Sequence, residues 1–303
     1  MATLAFSLWS ILSFFSKEQQ ESLPKTIVTV WNVDTFEGGK GSRTAFLNSV
    51  AKKMEGDVFF MVSSKTAEGV EYALQNGNLP DILSFGVGVE VPQDIEASVW
   101  CMGKYVLFSK EGEKVSPNIL NTVVSRGGRN EPTVAAALCG LTGELRQESS
   151  LQAYMDFLNG KYAYLLGTQR DAQRFLSRGV SVEATPLNDF TDLCQYIAVM
   201  KEENREICER FISYLQGEEV QGRLSEIGML SPYRTIYGAD EPLCKAIEQG
   251  ELSYAWSATA TAVQKETLSR MAEKILRGEE SCENLKNFLK ESGNTFKKVK
   301  SML

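Results

Sequence analysis

Residues 26–46 read TIVTVWNVDTFEGGKGSRTAF. The β-branched run Ile27-Val28-Thr29-Val30-Trp31 predicts a buried strand, because such side chains pack well on a pleated surface covered on both faces. Asn32 to Gly41 then holds Gly38, Gly39 and Gly41 and reads as a loop. Ser42 can cap a helix in which Phe46, Val50 and Met54 recur every four residues. Outward from this unit, Asp57 to Val62 predicts a second strand, Thr66 to Gln75 a helix and Ile82 to Phe85 a third strand. Two β-α-β steps in succession imply an α/β fold with a parallel sheet covered by helices.

The same reading places strands at Tyr105 to Phe108, Tyr162 to Leu166 and Tyr196 to Met200, and a helix at Leu151 to Leu158. Ser116 to Pro132 is polar, with Arg126-Gly127-Gly128-Arg129 as a loop. Ile207, Phe211, Ile212 and Leu215 mark one amphipathic helix, and Leu268, Met271, Ala272, Ile275 and Leu276 a stronger one. Lys297, Lys298 and Lys300 form a solvated basic tail.

Composition excludes several classes. The 303 residues hold 39 acidic and 32 basic side chains, a net charge of −7, which argues against a nucleic-acid binder. There is no histidine, so Ser-His-Asp and Cys-His catalysis and His-ligated zinc are out. The six cysteines are Cys101, Cys139, Cys194, Cys208, Cys244 and Cys282. They are spread singly and read mostly as buried, unpaired thiols, with no CxxC metal or redox motif. The glycine loop fails the Walker spacing, since Asp34 and Gly41 stand where Gly and Ser or Thr are required. What survives is a glycine-rich turn whose backbone N–H groups face a helix start.

Met1 to Phe15 is apolar, and Ser16 to Ser22 turns abruptly polar. Fifteen residues is short of the ~20 a spanning helix needs, so residues 1–24 read as a signal or anchor segment. No Lys or Arg precedes the apolar run, and no Cys follows it for lipid attachment.

The run Thr29 to Phe46 resembles the opening of bacterial extracellular solute-binding proteins of ABC importers, the family that includes maltose-binding protein. The resemblance continues in order through Leu79 to Phe85, Trp100 to Tyr105, Phe157 to Thr168, and Phe211 to Pro232. It implies a two-lobed type II periplasmic-binding fold. Each lobe would be a mostly parallel sheet flanked by helices, with the ligand cleft between them. The expected first lobe is residues 25–107 plus 200–231, and the second is 108–199 plus 232–303. Crossings are expected near Val106 to Lys110, Tyr196 to Lys201 and Ser231 to Thr235. About 50 residues separate Phe108 from Tyr162, fewer than in larger members of the family, so the second lobe should be reduced.

The implied function is non-enzymatic. The chain would capture a small polar solute, a sugar or polyol, and deliver it to the permease subunits of an ABC importer. It would work as an extracytoplasmic monomer at the cell surface or in the periplasm, with no cofactor, metal or nucleic acid. Two alternatives use the same fold: a sensory ligand-binding domain, or a glycan-active enzyme pairing Glu37 or Asp34 with Asp171.

Loop position then nominates ligand contacts. Asp34, Phe36 and Glu37 follow the first strand, Arg43 lies in the first turn of the next helix, and Phe85 ends the third strand. Gln169 and Arg170 follow a glycine turn in the second lobe. Tyr254 and Trp256 align with a family segment that carries a cleft aromatic. Carboxylates, amides and Arg suit hydroxyls, and an aromatic face suits a sugar ring. Competing roles are a core position for Trp31 and for Trp256, a cap or an ion pair with Arg43 for Asp34 and Glu37, and a salt bridge to Asp171 for Arg170.

Overall fold

The computed structural model describes residues 26–36, 42–54, 56–250, 252–292 and 294–295. The expected N-terminal signal or anchor segment, Glu37 and the basic tail lie outside the described residues.

The opening unit forms as its sequence pattern dictates. Strand β1 (Thr26–Val33) buries Val28 and Val30 on one face. Helix α1 (Ser42–Met54) buries Phe46, Leu47, Val50 and Ala51 in the same core. Strand β2 (Val58–Lys65), helix α2 (Ala67–Gln75) and strand β3 (Ile82–Gly86) follow. Thr66 caps α2 by accepting from the Gly69 amide at 3.1 Å. β1 pairs parallel with both β2 and β3. Buried Asp81 locks this arrangement: its carboxylate accepts from the Thr29 amide at 2.8 Å and hydroxyl at 2.6 Å, and from Asn204 at 3.0 Å.

The first five-stranded sheet is completed by β4 (Ala97–Met102) and β10 (Cys194–Val199), in the order β2-β1-β3-β10-β4. The second sheet holds β5 (Tyr105–Lys110), β6 (Thr122–Arg126), β7 (Gln147–Ser149), β8 (Tyr164–Thr168) and β9 (Val182–Pro186). Its order is β7-β6-β8-β5-β9. The plan is repeated. In each sheet the fourth strand runs antiparallel to both neighbours while the others share one direction. That fourth strand, β10 or β5, is also the one that enters directly from the other sheet.

Helices α3 (Pro132–Leu138), α4 (Ser150–Leu158) and α5 (Gln169–Ser177) lie in the second lobe. There Phe175 gathers Tyr154, Phe157 and Phe108 at ring distances of 5.0–5.5 Å. Helices α6 (Arg205–Gln216) and α7 (Glu218–Gly222) return to the first lobe, where Phe211 meets Phe60 at 5.0 Å. Helix α8 (Pro242–Gln249) packs on β9 and α5, and α9 (Ala262–Leu276) on α3. Strand β11 (Tyr254–Ala255), helix α10 (Cys282–Ser292) and strand β12 (Asn294–Thr295) complete the described chain.

Two expected crossings are displaced. The first occurs at Gly103 and Lys104, between β4 and β5, ahead of Val106 to Lys110. The second occupies residues 187–193, so β10 belongs to the first sheet although its residues were assigned to the second lobe. A fully buried apolar strand has the same composition whichever sheet receives it; pairing with β3 and β4 decides its place. The third passage starts at Leu230, which exchanges backbone hydrogen bonds with Met102 at 2.8 and 3.0 Å.

All six cysteines are unpaired. Among the described residues no helix is long and apolar enough to cross a membrane, and no cluster of His, Cys, Asp and Glu could hold a metal ion.

Candidate functional site

The first lobe presents a polar edge where β1 and β3 end and the antiparallel β10 begins. Asn32, Ser84 and Gln195 are fully buried on these three strands. Asn32 Oδ1 accepts from the Ser84 hydroxyl at 2.8 Å and from Gln195 at 3.2 Å. Trp100 closes the cluster by donating its indole N–H to Ser84 at 3.1 Å. Asn32 Nδ2 reaches Thr44 and Asp34, tying the strand end to α1.

Arg43 is buried beside this edge. Its Nε pairs with Asp34 at 2.6 Å, one terminal nitrogen donates to the Phe36 carbonyl at 2.9 Å, and its guanidinium lies 4.2 Å from the Phe36 ring centre. Asp34, Phe36 and Arg43 are therefore brought together as expected. They clasp one another, so the ion-pairing role is the one observed for Asp34.

The lobes meet directly above that clasp. Phe36 forms an isolated bridge with Gly128, and the Arg129 amide donates to the Thr35 carbonyl at 2.6 Å. Gly128 has φ +80°, and a Cβ there would lie 2.0 Å from the Thr35 carbonyl oxygen. Only glycine fits this contact. The Arg129 guanidinium reaches across to Glu71 at 2.5 Å, Glu68 at 2.6 Å and the Gly88 carbonyl at 2.7 Å. Sequence reading saw the RGGR stretch only as a loop; the signal it offered was two glycines between two cations.

The passages between lobes form a second polar layer. Asp192, buried on the second crossing, accepts from the Tyr105 hydroxyl at 2.7 Å and from the Glu131 amide at 2.5 Å. Burial pushes the Asp192 carboxyl up to about 6, because removal from water costs the charged form more than these hydrogen bonds recover. Asn130 donates to the Tyr105 oxygen at 2.8 Å. Lys104 extends its ammonium to Asn188 and to the carbonyls of Ile247 and Gly250.

Gln169 serves this layer. It accepts from the Lys104 amide at 2.8 Å and donates to the Gly228 carbonyl at 3.0 Å, joining the first and third passages through α5. Arg170 lies against Gly228, its Cγ 3.4 Å from where a Gly228 Cβ would stand, with its charge near the Tyr237 phenol.

Three aromatic assignments need correction or relocation. Phe85 is completely buried and packs on Tyr196 at 5.9 Å, so it is core. Trp256 is 2% exposed, with its ring on Phe288 at 6.3 Å and its carbonyl accepting from Tyr196. The chain turns just after it, where Ser257 accepts from the Thr259 amide. Tyr254 is half-buried on β11, and its carbonyl accepts from the Thr191 amide.

An open groove of about 590 Å³ lies at the lobe boundary. Gly88 contributes from the first lobe, and Arg126, Gly128 to Thr133 and Gln147 from the second, with Lys265, Ser269 and Glu273 of α9 as the far wall. Its size falls in the range of small-molecule sites. The lining carries charges of both signs and, among the described residues, no aromatic ring. Burial raises the Glu131 carboxyl and lowers the Lys265 ammonium from their ordinary values.

No protein-family model matches the chain. No curated protein matches it either. Solved structures do. The sugar-binding protein MalE from Xanthomonas citri is 15% identical, with a TM-score of 0.55 over 88% of this chain and 95% of that one. A cyclo/maltodextrin-binding protein complexed with maltotetraose is 10% identical, with a TM-score of 0.54 over 93% and 100%. The substrate-binding domain of a putative molybdenum ABC transporter from Clostridium difficile is 13% identical, with a TM-score of 0.51 over 68% and 99%. At these identities the likeness establishes the architecture: the chain has the two-lobed fold of periplasmic-type binding proteins.

Proposed function

We propose that this chain is an extracytoplasmic solute-binding protein that holds a small polar solute between its lobes and presents it to the permease of an ABC importer. The observation that carries the reading is the lobe boundary itself. Two sheets of one plan are joined by three passages and pressed together at Gly128 and Arg129, beside a solute-sized polar groove. The solved structures of the same architecture named above bind sugars or serve an ABC transporter, and this supports the class. A sugar or polyol remains the starting expectation for the solute, held by hydrogen bonds without aromatic stacking.

A non-enzymatic role accords with the carboxylates nominated for glycan chemistry. Asp34 grips Arg43, and Asp171 caps α5 through the Thr168 amide and pairs with Arg174 at 2.7 Å. Each is committed to structure. The test is a thermal-shift screen across sugars, polyols, their acids and phosphates, amino acids and oxyanions. A ligand that binds only the native state raises the melting temperature. A hit that the protein returns chemically unchanged supports binding without catalysis; turnover of the hit contradicts it.

A further inference from the structure

We propose that the apolar outer corner of the first sheet, at the start of β1 and β2, rests on the lipid surface that the N-terminal segment is expected to enter. The inference is independent of the solute and rests on the anchor reading of Met1 to Phe15. Alternation turns Val28, Val30 and Phe60 to the inner face, where Phe60 meets Phe211 of α6. The register sets Ile27 beside Phe59 and Thr29 beside Met61 on the other face. There Ile27 is 55%, Phe59 43% and Met61 47% exposed. A parallel pair is normally covered on both faces. The second lobe keeps that rule. Strand β6, which holds the same second place in its sheet, packs against α3 and α4 and buries Thr122, Val123, Val124 and Ser125. The start of β1 has no equivalent cover among the described residues.

The border of this face and the chain that leads into it identify what covers it. Trp31 is next on the same face, and the Lys65 ammonium lies 5.0 Å from its ring centre. An indole beside a lysine at the rim of an apolar patch suits the headgroup level of a bilayer, with the ring at the acyl boundary and the ammonium reaching outward. Ser16 to Lys25 join the apolar Met1 to Phe15 to Thr26. Fully extended, these residues reach about 35 Å, so a segment held in a bilayer keeps Ile27 within that distance of the same surface. Fifteen apolar residues fall short of a span, and shallow attachments become stable when two act together. The carboxylates next to the face are Asp57, exposed ahead of β2, and Asp81, buried under hydrogen bonds from Thr29 and Asn204. With a net charge of −7 the chain gains nothing from an anionic surface, so the lipid that fits is zwitterionic.

Flotation of the full chain with phosphatidylcholine vesicles tests the assignment. The Ile27→Thr, Phe59→Thr, Met61→Thr triple variant should partition about fivefold less than the parent, because apolar area is lost from the contact. Its positions are exposed and threonine suits a strand, and circular dichroism confirms the fold. Brominated phosphatidylcholine then locates the face. In a Trp9→Phe background the remaining tryptophans are Trp31, Trp100 and Trp256, and the last two are 0% and 2% exposed. Quenching there should be lost on Trp31→Phe. Unchanged partitioning of the triple variant, or an unquenched Trp31 on bound vesicles, overturns the inference by showing that the folded body stands off the membrane. A lipid-free dimer that the triple variant dissociates also overturns it, since the face would then belong to a second copy. A full chain that fails to float contradicts the anchor reading along with the inference. Solute binding stands or falls separately, on the thermal-shift screen.

Discussion

Gly128 and Thr35 touch backbone to backbone across the lobe boundary, closely enough that a single methyl group at Gly128 would overlap the Thr35 carbonyl. The contact is long-range and lies on an exposed loop, so it bears on how the lobes meet and not on how either one folds. Gly128→Ala combines that overlap with the cost of φ +80° for an L-residue, about 1–2 kcal/mol. The expected outcome is a larger radius of gyration and weaker solute affinity, with each lobe's secondary structure retained by circular dichroism. An unchanged radius and affinity would show that the seam does not limit closure.

Arg129 supplies the charged half of the same seam. Its partners Glu71 and Glu68 are respectively 20% and 75% exposed, so the pair to Glu71 carries most of the worth. Arg129→Ala should cost about 0.5–1.5 kcal/mol in thermal or urea unfolding, given this partial exposure. It should also remove part of the salt dependence of the radius of gyration. Arg129→Lys, which cannot span Glu71 and the Gly88 carbonyl with one planar group, should recover little.

Asp192 makes stability depend on pH. Its folded carboxyl titrates at about 6, above the unfolded value of about 3.9, so the folded protein holds this proton more tightly. Stability from this group is present below pH 4 and is lost as the pH rises towards 6. A shift of about two units corresponds to roughly 2–3 kcal/mol. Urea unfolding between pH 4 and 7 should therefore show a decline that Asp192→Asn flattens. An identical slope in the variant would place the dependence elsewhere.

Trp256 belongs to the core that α10 covers. Trp256→Ala should cost about 3–5 kcal/mol, the usual loss for a fully buried large aromatic. Solute affinity of the folded fraction should stay within twofold of the parent. Chemical denaturation paired with titration separates the two effects, and normal stability with lost affinity would return Trp256 to the site.

Much of the architecture was legible locally. Strand β1, helix α1 and the strand at Ile82 follow from their apolar runs and spacing, and the strand expected at Tyr162 to Leu166 forms two residues later, at Tyr164–Thr168. The clasp of Asp34 by Arg43 was also within reach, because the two stand only nine residues apart, just after β1 and at the start of α1. The placement of β10 was not, since burial on both faces erases the alternation that marks a face. Thr122–Arg126 was hidden for another reason: its strand is short and sits in an otherwise polar stretch. Trp256 was placed in the cleft by the resemblance alone, while Phe288, on which its ring packs, is 32 residues away in sequence. Asn130 gains its meaning only from Tyr105 and Asp192, partners 25 and 62 residues distant. A lone Asn before Glu131 carries no such information.

The central claim is that the lobes close on a small polar solute. Small-angle X-ray scattering on the full chain, with and without the best hit of the thermal-shift screen at saturation, tests it most directly. The account predicts a smaller radius of gyration with solute in the parent protein, and a reduced change in Gly128→Ala and Arg129→Ala. Superimposable profiles at saturating solute, in a protein shown by titration to have bound it, would contradict closure.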